Sequence, residues 1–252
     1  PSLTYNGIFS WIPTYRFYAY PTDDSSVILR GSLSTQEERE LLGHFEDSDL
    51  FGRGISFNLK TQFNVDGAKR FYGFGPDSPK SAEANYIEDY LLFRVSGGIP
   101  LRDGSKWKIH AGDSLLAMKV KNGRTPNLTT FRTTFPGVGP FNRQQTQEMT
   151  LRVDYDSRDH GVTTSKGAYL DTYMGTSVRG FASAHDFQRY GMDGRIYHKW
   201  PDRKQVTAAQ LRYEQVLADA PFWLQPSLGG KDSLRAYGEG RYVDRGAASL
   251  NV

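Results

Sequence analysis

The charged residues best placed for acid–base chemistry lie around position 155. Asp154, Asp156 and Asp159 are close in the sequence to Arg152 and Arg158. Neighbouring carboxylates can divide the roles of general acid and general base. Strand alternation, however, would put Asp154 and Asp156 on the same face as both arginines. Charge compensation on a polar face explains this pattern without catalysis, and we predict a structural charge cluster formed by these five residues.

Other arrangements that bind metals or attack substrates do not occur in the sequence. Cysteine is absent, which excludes thiolate zinc sites and thiol nucleophiles. A Gly-x-Ser-x-Gly nucleophile elbow is also absent. The histidines lack the spacing of metal ligands. They are His44, His110, His160, His185 and His198. We therefore expect a protein without enzymatic activity, cofactor or bound metal.

A glycine-rich segment suggests a phosphate-binding loop at first sight. It reads FYGFGPDSP from position 71. A phosphate loop uses the positive end of a following helix, and no helix is predicted here. Pro76 and Pro79 also interrupt the backbone. A turn that requires glycine explains Gly73 and Gly75 better.

Composition narrows the fold class to a β-rich membrane or soluble domain. The 252 residues carry a net charge of only +3, which argues against nucleic acid as a partner. Apolar residues are 38% and aromatic residues 13%, with 26 glycines, a mixture typical of strands joined by turns. No apolar run reaches the roughly 18 residues of a membrane helix. No linker divides the chain, so we expect one domain.

Period-two alternation predicts strands with one apolar and one polar face. It is clearest at 55–65 and recurs at 87–95 and 150–158. We expect one face to carry Phe57, Leu59, Phe63, Leu91, Phe93, Leu151 and Val153. The opposite face would carry Lys60, Gln62, Arg94, Asp154 and Asp156. Two such faces fit lipid outside a barrel and a polar lumen inside it.

Further strands are predicted along the rest of the chain. They cover 1–5, 8–20, 27–34, 39–46, 106–119, 167–179, 187–199, 205–217 and 247–252. The count of about twelve strands, with all long connections on one rim, favours a transmembrane barrel. A soluble sandwich or lipocalin-like barrel is the alternative, but eight strands already fill a soluble barrel.

The segment that starts at position 229 resembles a known loop. It reads GGKDSLRAY, and Arg241 and Asp244 follow it. The sixth extracellular loop of the BamA/TamA superfamily, barrels of the bacterial surface antigen type, has Gly-Gly and then Val/Leu-Arg-Gly-Phe/Tyr. Alanine stands here where the family has glycine, so we expect a slightly different loop tip. The motif residues are Gly229, Gly230, Leu234, Arg235, Ala236 and Tyr237.

Two other stretches are similar to the same family. The sequence YDSRD at 155–159, followed by Lys166 and Gly167, is similar to the family's Asp-x-Arg-Asp turn. The segment with Tyr72, Gly73 and Gly75 resembles its extracellular Tyr-Gly-Ile-Gly loop. The order and spacing of the motifs agree with the strand count, so the resemblance covers essentially the whole chain.

The resemblance implies a fold and a domain layout. We expect an all-β antiparallel transmembrane barrel with about 12 of an expected 16 strands present. Residues 1–252 would form one outer-membrane barrel domain, incomplete at its carboxy-terminal end and without POTRA domains. Unpaired sheet edges would then lie near 1–5 and 247–252.

The resemblance also implies a function in the bacterial outer membrane. The family inserts or translocates outer-membrane polypeptides without catalysis. The implied partners are the lipid bilayer and lipopolysaccharide, client outer-membrane polypeptides, and periplasmic or outer-membrane accessory proteins. The alternatives are a passive diffusion channel and a barrel that anchors a patatin-like lipase fused upstream.

Arg235 is the main functional candidate that the resemblance gives. A guanidinium carried into a lumen on a loop needs an acceptor, and a carboxylate is the best one. In the family that acid follows the loop, which would put it after Val252. Within this sequence the best available acceptors are Asp154 and Asp156. The contact could fix the loop as a plug or take part in gating.

Overall fold

Antiparallel strands make up most of the computed structural model, which describes residues 1–6, 10–34, 37–201, 205–231 and 233–252. The strands in these ranges are β1 (Ser2–Asn6), β2 (Ser10–Ala19), β3 (Ser25–Leu33), β4 (Glu38–Leu50), β5 (Ile55–Phe71), β6 (Ala84–Pro100), β7 (Trp107–Asn122), β8 (Thr129–Thr130), β9 (Gln144–Asp156), β10 (Gly167–Ser177), β11 (Phe187–Lys199), β12 (Val206–Ala218), β13 (Ser227–Leu228), β14 (Tyr242–Val243) and β15 (Gly246–Asn251). Helical turns are short: α1 (Phe131–Thr134) and 3₁₀ turns at Lys80–Ala82 and Phe222–Leu224. No helix in the described ranges is long and apolar enough to cross a membrane.

The wall is one 13-stranded sheet in which sequential strands are neighbours. Its order is β1-β2-β3-β4-β5-β6-β7-β9-β10-β11-β12-β15, and β8 pairs with β6 at one end. Apart from β8, every pairing in this sheet is antiparallel. The end strands β1 and β15 do not pair with each other, so the sheet is open. This confirms the predicted unpaired edges and the predicted count of wall strands.

The two faces of the wall follow the alternation in the sequence. Phe63 lies opposite Leu41 on one side and Leu91 on the other, so apolar residues form continuous rows across strands. All three side chains are exposed, at 37%, 65% and 49%. Such a surface is suited to lipid rather than water.

The opposite face is polar and its side chains bond to each other. Glu40 of β4 accepts hydrogen bonds from Arg30 of β3 at 2.5 Å and from Gln62 of β5 at 2.9 Å. Residues 226–228 and 233 of the connection between β12 and β15 lie against this face, beside Arg152 and Arg212. The polar face is therefore the inner one, as the sequence predicts.

A β-bulge explains why the predicted end of β5 is wrong. The sequence pattern predicts that the fifth strand, β5, ends at Val65, but it continues to Phe71. Its pairing with β6 shifts between Asp66 and Lys69. The extra residues reverse the alternation, which hides the strand from a period-two pattern. β4 is extended in the same way beyond a second register shift.

Phe93→Arg is expected to lower the free energy of unfolding by about 2–4 kcal/mol, the cost of a cation in the middle of the lipid face. Phe93 is 46% exposed and lies between Thr61 and Leu115 of the neighbouring strands. Urea titration of the lipid-embedded protein, followed by tryptophan fluorescence, measures the change. The matched control is Leu92→Arg, which places the same side chain on the polar face. A larger cost at Leu92 than at Phe93 would mean that the two faces are exchanged.

Candidate functional site

The candidate site is the inside of the barrel wall, where the connection 219–245 folds onto the polar face. We call this connection the lumen loop. A cavity of about 310 Å³ lies between the loop and the wall. It is lined by Pro226 and Ser233 of the loop and by Arg152, Asp171 and Arg212 of the wall. The loop also pairs with itself, since β13 and β14 form a two-stranded sheet. The lumen is thus occupied by an ordered part of the chain itself.

Glycines give the lumen loop its sharp return. Gly229 and Gly230 have φ values of 123° and 81°, which side chains rarely adopt. The Gly230 N–H donates to the Tyr237 carbonyl at 2.8 Å and closes the turn. A side chain on Gly229 would collide with the Gly238 carbonyl. The glycine pair of the motif is therefore required for this close approach, while Asp232 lies outside the described residues.

The loop tip from Leu234 to Tyr237 lies along the wall near the ends of β11, β12 and β15. It lines a cavity of about 580 Å³ with Arg195, Tyr197 and Gln210. Ala236 is not among the residues with positive φ. Arg195, Tyr197 and Gln210 belong to the polar face of the wall.

Arg235 does not make the predicted contact with Asp154 or Asp156. Its side chain is exposed. Asp154 is paired with His110, and Asp156 with Arg158 at 2.7 Å. Both acids are engaged by side chains close to them, His110 and Arg158, which is the physical reason that the expectation fails. The expectation of an acid after Val252 stays a prediction.

The predicted charge cluster is in fact a set of separate pairs. Arg152 pairs with Asp171 of the next strand at 3.2 Å, so the charges compensate each other across strands. Asp159 lies in the exposed turn after β9. Hydrogen bonds from the Ser165 side chain and N–H hold the pKa of the Asp159 carboxyl well below its usual range. None of these contacts indicates a catalytic role. Within the described ranges, no group of three His, Asp or Glu residues could hold a metal.

Arg241 ties the lumen loop to the connection 72–83. Its guanidinium donates to the side-chain and backbone oxygens of Ser78, at 2.9 and 2.7 Å. It also lies 4.8 Å from the Tyr72 ring centroid and 4.3 Å from that of Tyr242. Cation–π contacts of this kind add to the hydrogen bonds. Arg241, which follows the resembling motif, is the best-bonded arginine of the loop.

The Tyr72 segment is a glycine-dependent turn, as the sequence predicts. Gly73 and Gly75 have φ values of 102° and 83°. The Gly75 N–H donates to the Val243 carbonyl of β14 at 2.9 Å. Burial, with Glu83 nearby, raises the pKa of the Tyr72 hydroxyl. The segment therefore holds the lumen loop through a backbone hydrogen bond and is not a phosphate site.

Aromatic side chains from distant segments close the rim at which the long connections lie. We call Phe71, Tyr86, Phe131, Phe135 and Phe222 the aromatic cap. Phe222 of the lumen loop lies 5.1 Å from Phe71 of β5 and 5.0 Å from Phe131 of α1, between ring centroids. Phe71 and Phe131 are fully buried. The cap is the main hydrophobic core of the described residues.

A buried ionic group joins the wall to the lumen loop below this cap. Arg189 of β11 lies 3.2 Å from Glu148 of β9 and 2.6 Å from Glu214 of β12. It also donates to the Leu224 carbonyl of the loop at 2.8 Å. Sequence reasoning did not find this group. The strands β9, β11 and β12 each contribute one charged residue to this group. No local sequence pattern connects the three residues.

Comparisons with known proteins support the same architecture. The model of the Omp85 superfamily domain matches residues 25–249. Among solved structures, the chain is similar to BamA from Haemophilus ducreyi lacking POTRA domains 1–3, with a TM-score of 0.61 and 15% identity. The match covers 94% of this chain and 45% of that chain. No curated protein matches this chain. The matches identify an antiparallel β-barrel of the bacterial outer membrane.

Proposed function

Because this chain belongs to the Omp85 superfamily, we propose that it inserts other polypeptides into the outer membrane or moves them across it. The observation that carries this proposal is the five-residue strand β1, which is paired with β2 alone in the described residues. Backbone N–H and C=O groups on a free strand edge can pair with an incoming strand. The partners would be client outer-membrane polypeptides, lipopolysaccharide and accessory proteins of the periplasm or outer membrane.

The occupied lumen favours this function over passive diffusion. A diffusion channel needs a continuous aqueous path. Here the lumen loop lies against the wall, and Phe222 packs into the aromatic cap at one mouth. A machine that works at its sheet edge and in the surrounding bilayer does not need an open lumen. Nothing in the described residues supports the role of a lipase anchor.

Leu3→Pro tests the edge because proline removes a backbone donor from β1. Leu3 lies opposite Pro13 of β2. We expect the full-length variant in vesicles to insert a urea-unfolded eight-stranded outer-membrane barrel several-fold more slowly than the unmodified protein. The appearance of the client's heat-modifiable folded band measures the rate.

The matched control is Leu3→Ala, which removes the side chain and keeps the N–H. It should insert the client at the unmodified rate. Equal rates for Leu3→Pro and the unmodified protein would contradict a role for this edge. Unassisted client folding combined with a large steady ion conductance would favour the diffusion channel.

A further inference from the structure

A carboxylate lies in the middle of the lipid-facing surface. The outer face of β7 reads Trp107, Ile109, Ala111, Asp113, Leu115, Ala117 and Lys119. Asp113 is halfway between the first and last of these. The stretch spans about 30 Å along the membrane normal, at ~3.4 Å per residue and a tilt of about 40°. That height matches the hydrocarbon core, so Asp113 is near its midplane.

The ends of this stretch have the chemistry of the two membrane boundaries. The Trp107 ring lies 4.9 Å from the Tyr155 ring of β9, an aromatic pair of the kind found at interfaces. At the other end, outward-facing Lys121 pairs with Asp89 at 2.6 Å. Among the outward-facing residues of β7 between Trp107 and Lys119, Asp113 alone has an ionisable side chain.

Asp113 is hydrogen-bonded to a neutral side chain, and no cation among the described residues pairs with it. Gln147 of β9 donates through its side-chain amide to both carboxylate oxygens, at 3.1 and 3.0 Å. The Gln147 amide oxygen is buried and has no hydrogen-bond partner. The pair therefore offers acceptors and lacks a donor with positive charge. An ionisable residue exposed to lipid is costly and marks a functional site by default.

Complementary charge identifies the occupant. Acyl chains have no donors, and the phosphates of lipid headgroups carry the same sign as the carboxylate. A second copy would present the same outer face, whose middle has no lysine or arginine in the described strands. We propose that the face formed by β7 and β9 binds another membrane-spanning polypeptide, which carries an arginine or lysine in the middle of its span. This inference does not depend on the proposed insertion function.

A designed peptide tests the charge directly. The probe is a membrane-spanning Leu/Ala helix with one central arginine, compared with the same helix with a central leucine. The full-length protein is placed in phosphatidylcholine vesicles with a donor fluorophore on Ala111→Cys. This site lies on the same face, and the sequence has no other cysteine. We expect energy transfer to show about threefold to tenfold tighter binding of the arginine peptide.

Variants at Asp113 decide whether the carboxylate causes the preference. Asp113→Leu and Asp113→Asn should both reduce binding of the arginine peptide to that of the leucine peptide. The matched control Leu115→Ala, on the same face, should keep the preference. Heat-modifiable migration reports folding. If Asp113→Leu does not fold, Asp113→Asn still removes the charge and keeps the hydrogen-bonding shape.

Three results would overturn the proposal. Equal binding of the two peptides to the unmodified protein would mean that lipid alone accommodates Asp113. An undiminished preference in folded Asp113→Asn would assign the binding to another residue. Energy transfer between labelled copies without peptide, lost in Asp113→Leu, would assign this face to a second copy of the chain.

Discussion

Phe222→Ala is expected to lower the free energy of unfolding by about 3–5 kcal/mol, the cost of truncating a buried phenylalanine. Phe222 is the side chain by which the lumen loop enters the aromatic cap, in contact with Phe71, Tyr86 and Phe131. Neighbouring rings cannot fill the space because they are held on separate strands and turns. The lumen loop should therefore detach before the wall unfolds.

Two measurements separate detachment from general unfolding. Ion conductance across a planar bilayer should rise when the lumen loop leaves the cap, and limited proteolysis should cut within 219–245. Phe74→Ala is the matched control, since Phe74 contacts the same cluster at Phe71 but is 47% exposed. A closed, protease-resistant Phe222→Ala barrel would show that the cap does not hold the loop.

Arg189→Met is expected to destabilise the protein by about 2–3 kcal/mol. Removing one partner of a buried ion pair costs about 3–5 kcal/mol when the other charge stays dry, and the polar lumen reduces this. The Arg189 side chain is 16% exposed and balances Glu148 of β9 and Glu214 of β12, so its loss leaves two acids without their shared cation. It also removes the hydrogen bond to the Leu224 carbonyl of the lumen loop.

Urea titration measures this change, and two further variants test its cause. Adding Glu148→Gln to Arg189→Met should recover part of the lost stability because one unpaired charge disappears. Arg195→Met is the matched control. Its partner Asp193 keeps Gln210 at 3.0 Å and Arg212 at 3.4 Å, so the cost should be smaller. Equal losses of stability in Arg189→Met and Arg195→Met would mean that an arginine paired with two acids stabilises the protein no more than an arginine whose acid has other partners.

The faces of the wall could be predicted from the sequence, and the ends of the strands could not. Alternation at Phe63, Leu91 and Leu151 is a local property that requires no knowledge of neighbours. A bulge shifts the alternation by a residue, as between Asp66 and Lys69. Its position depends on pairing with another strand, so the pattern of a single strand cannot reveal it.

The glycine motifs show the same difference between what the sequence predicts and what only the structure decides. The sequence identified Gly73 and Gly75 as turn residues because positive φ is a property of the residue itself. Gly229 and Gly230, which were identified only as part of the resembling motif, also have positive φ. The sequence also predicted that an acidic side chain would contact Arg235. The candidate acids Asp154 and Asp156, however, pair with His110 and Arg158. Which charges remain free is decided by all neighbours of a strand together.

The alternation, turns and loop lengths of the sequence predicted an antiparallel wall with one lipid face and one polar face, and the resemblance implied that this wall lies in the outer membrane. Only the tertiary structure decided what fills the lumen. The aromatic cap joins β5, β6, α1 and the lumen loop, and the Arg189 group joins three strands. Such contacts depend on the curvature of the sheet and the return of long connections. Residues far apart in the chain meet there, and no local pattern carries that information.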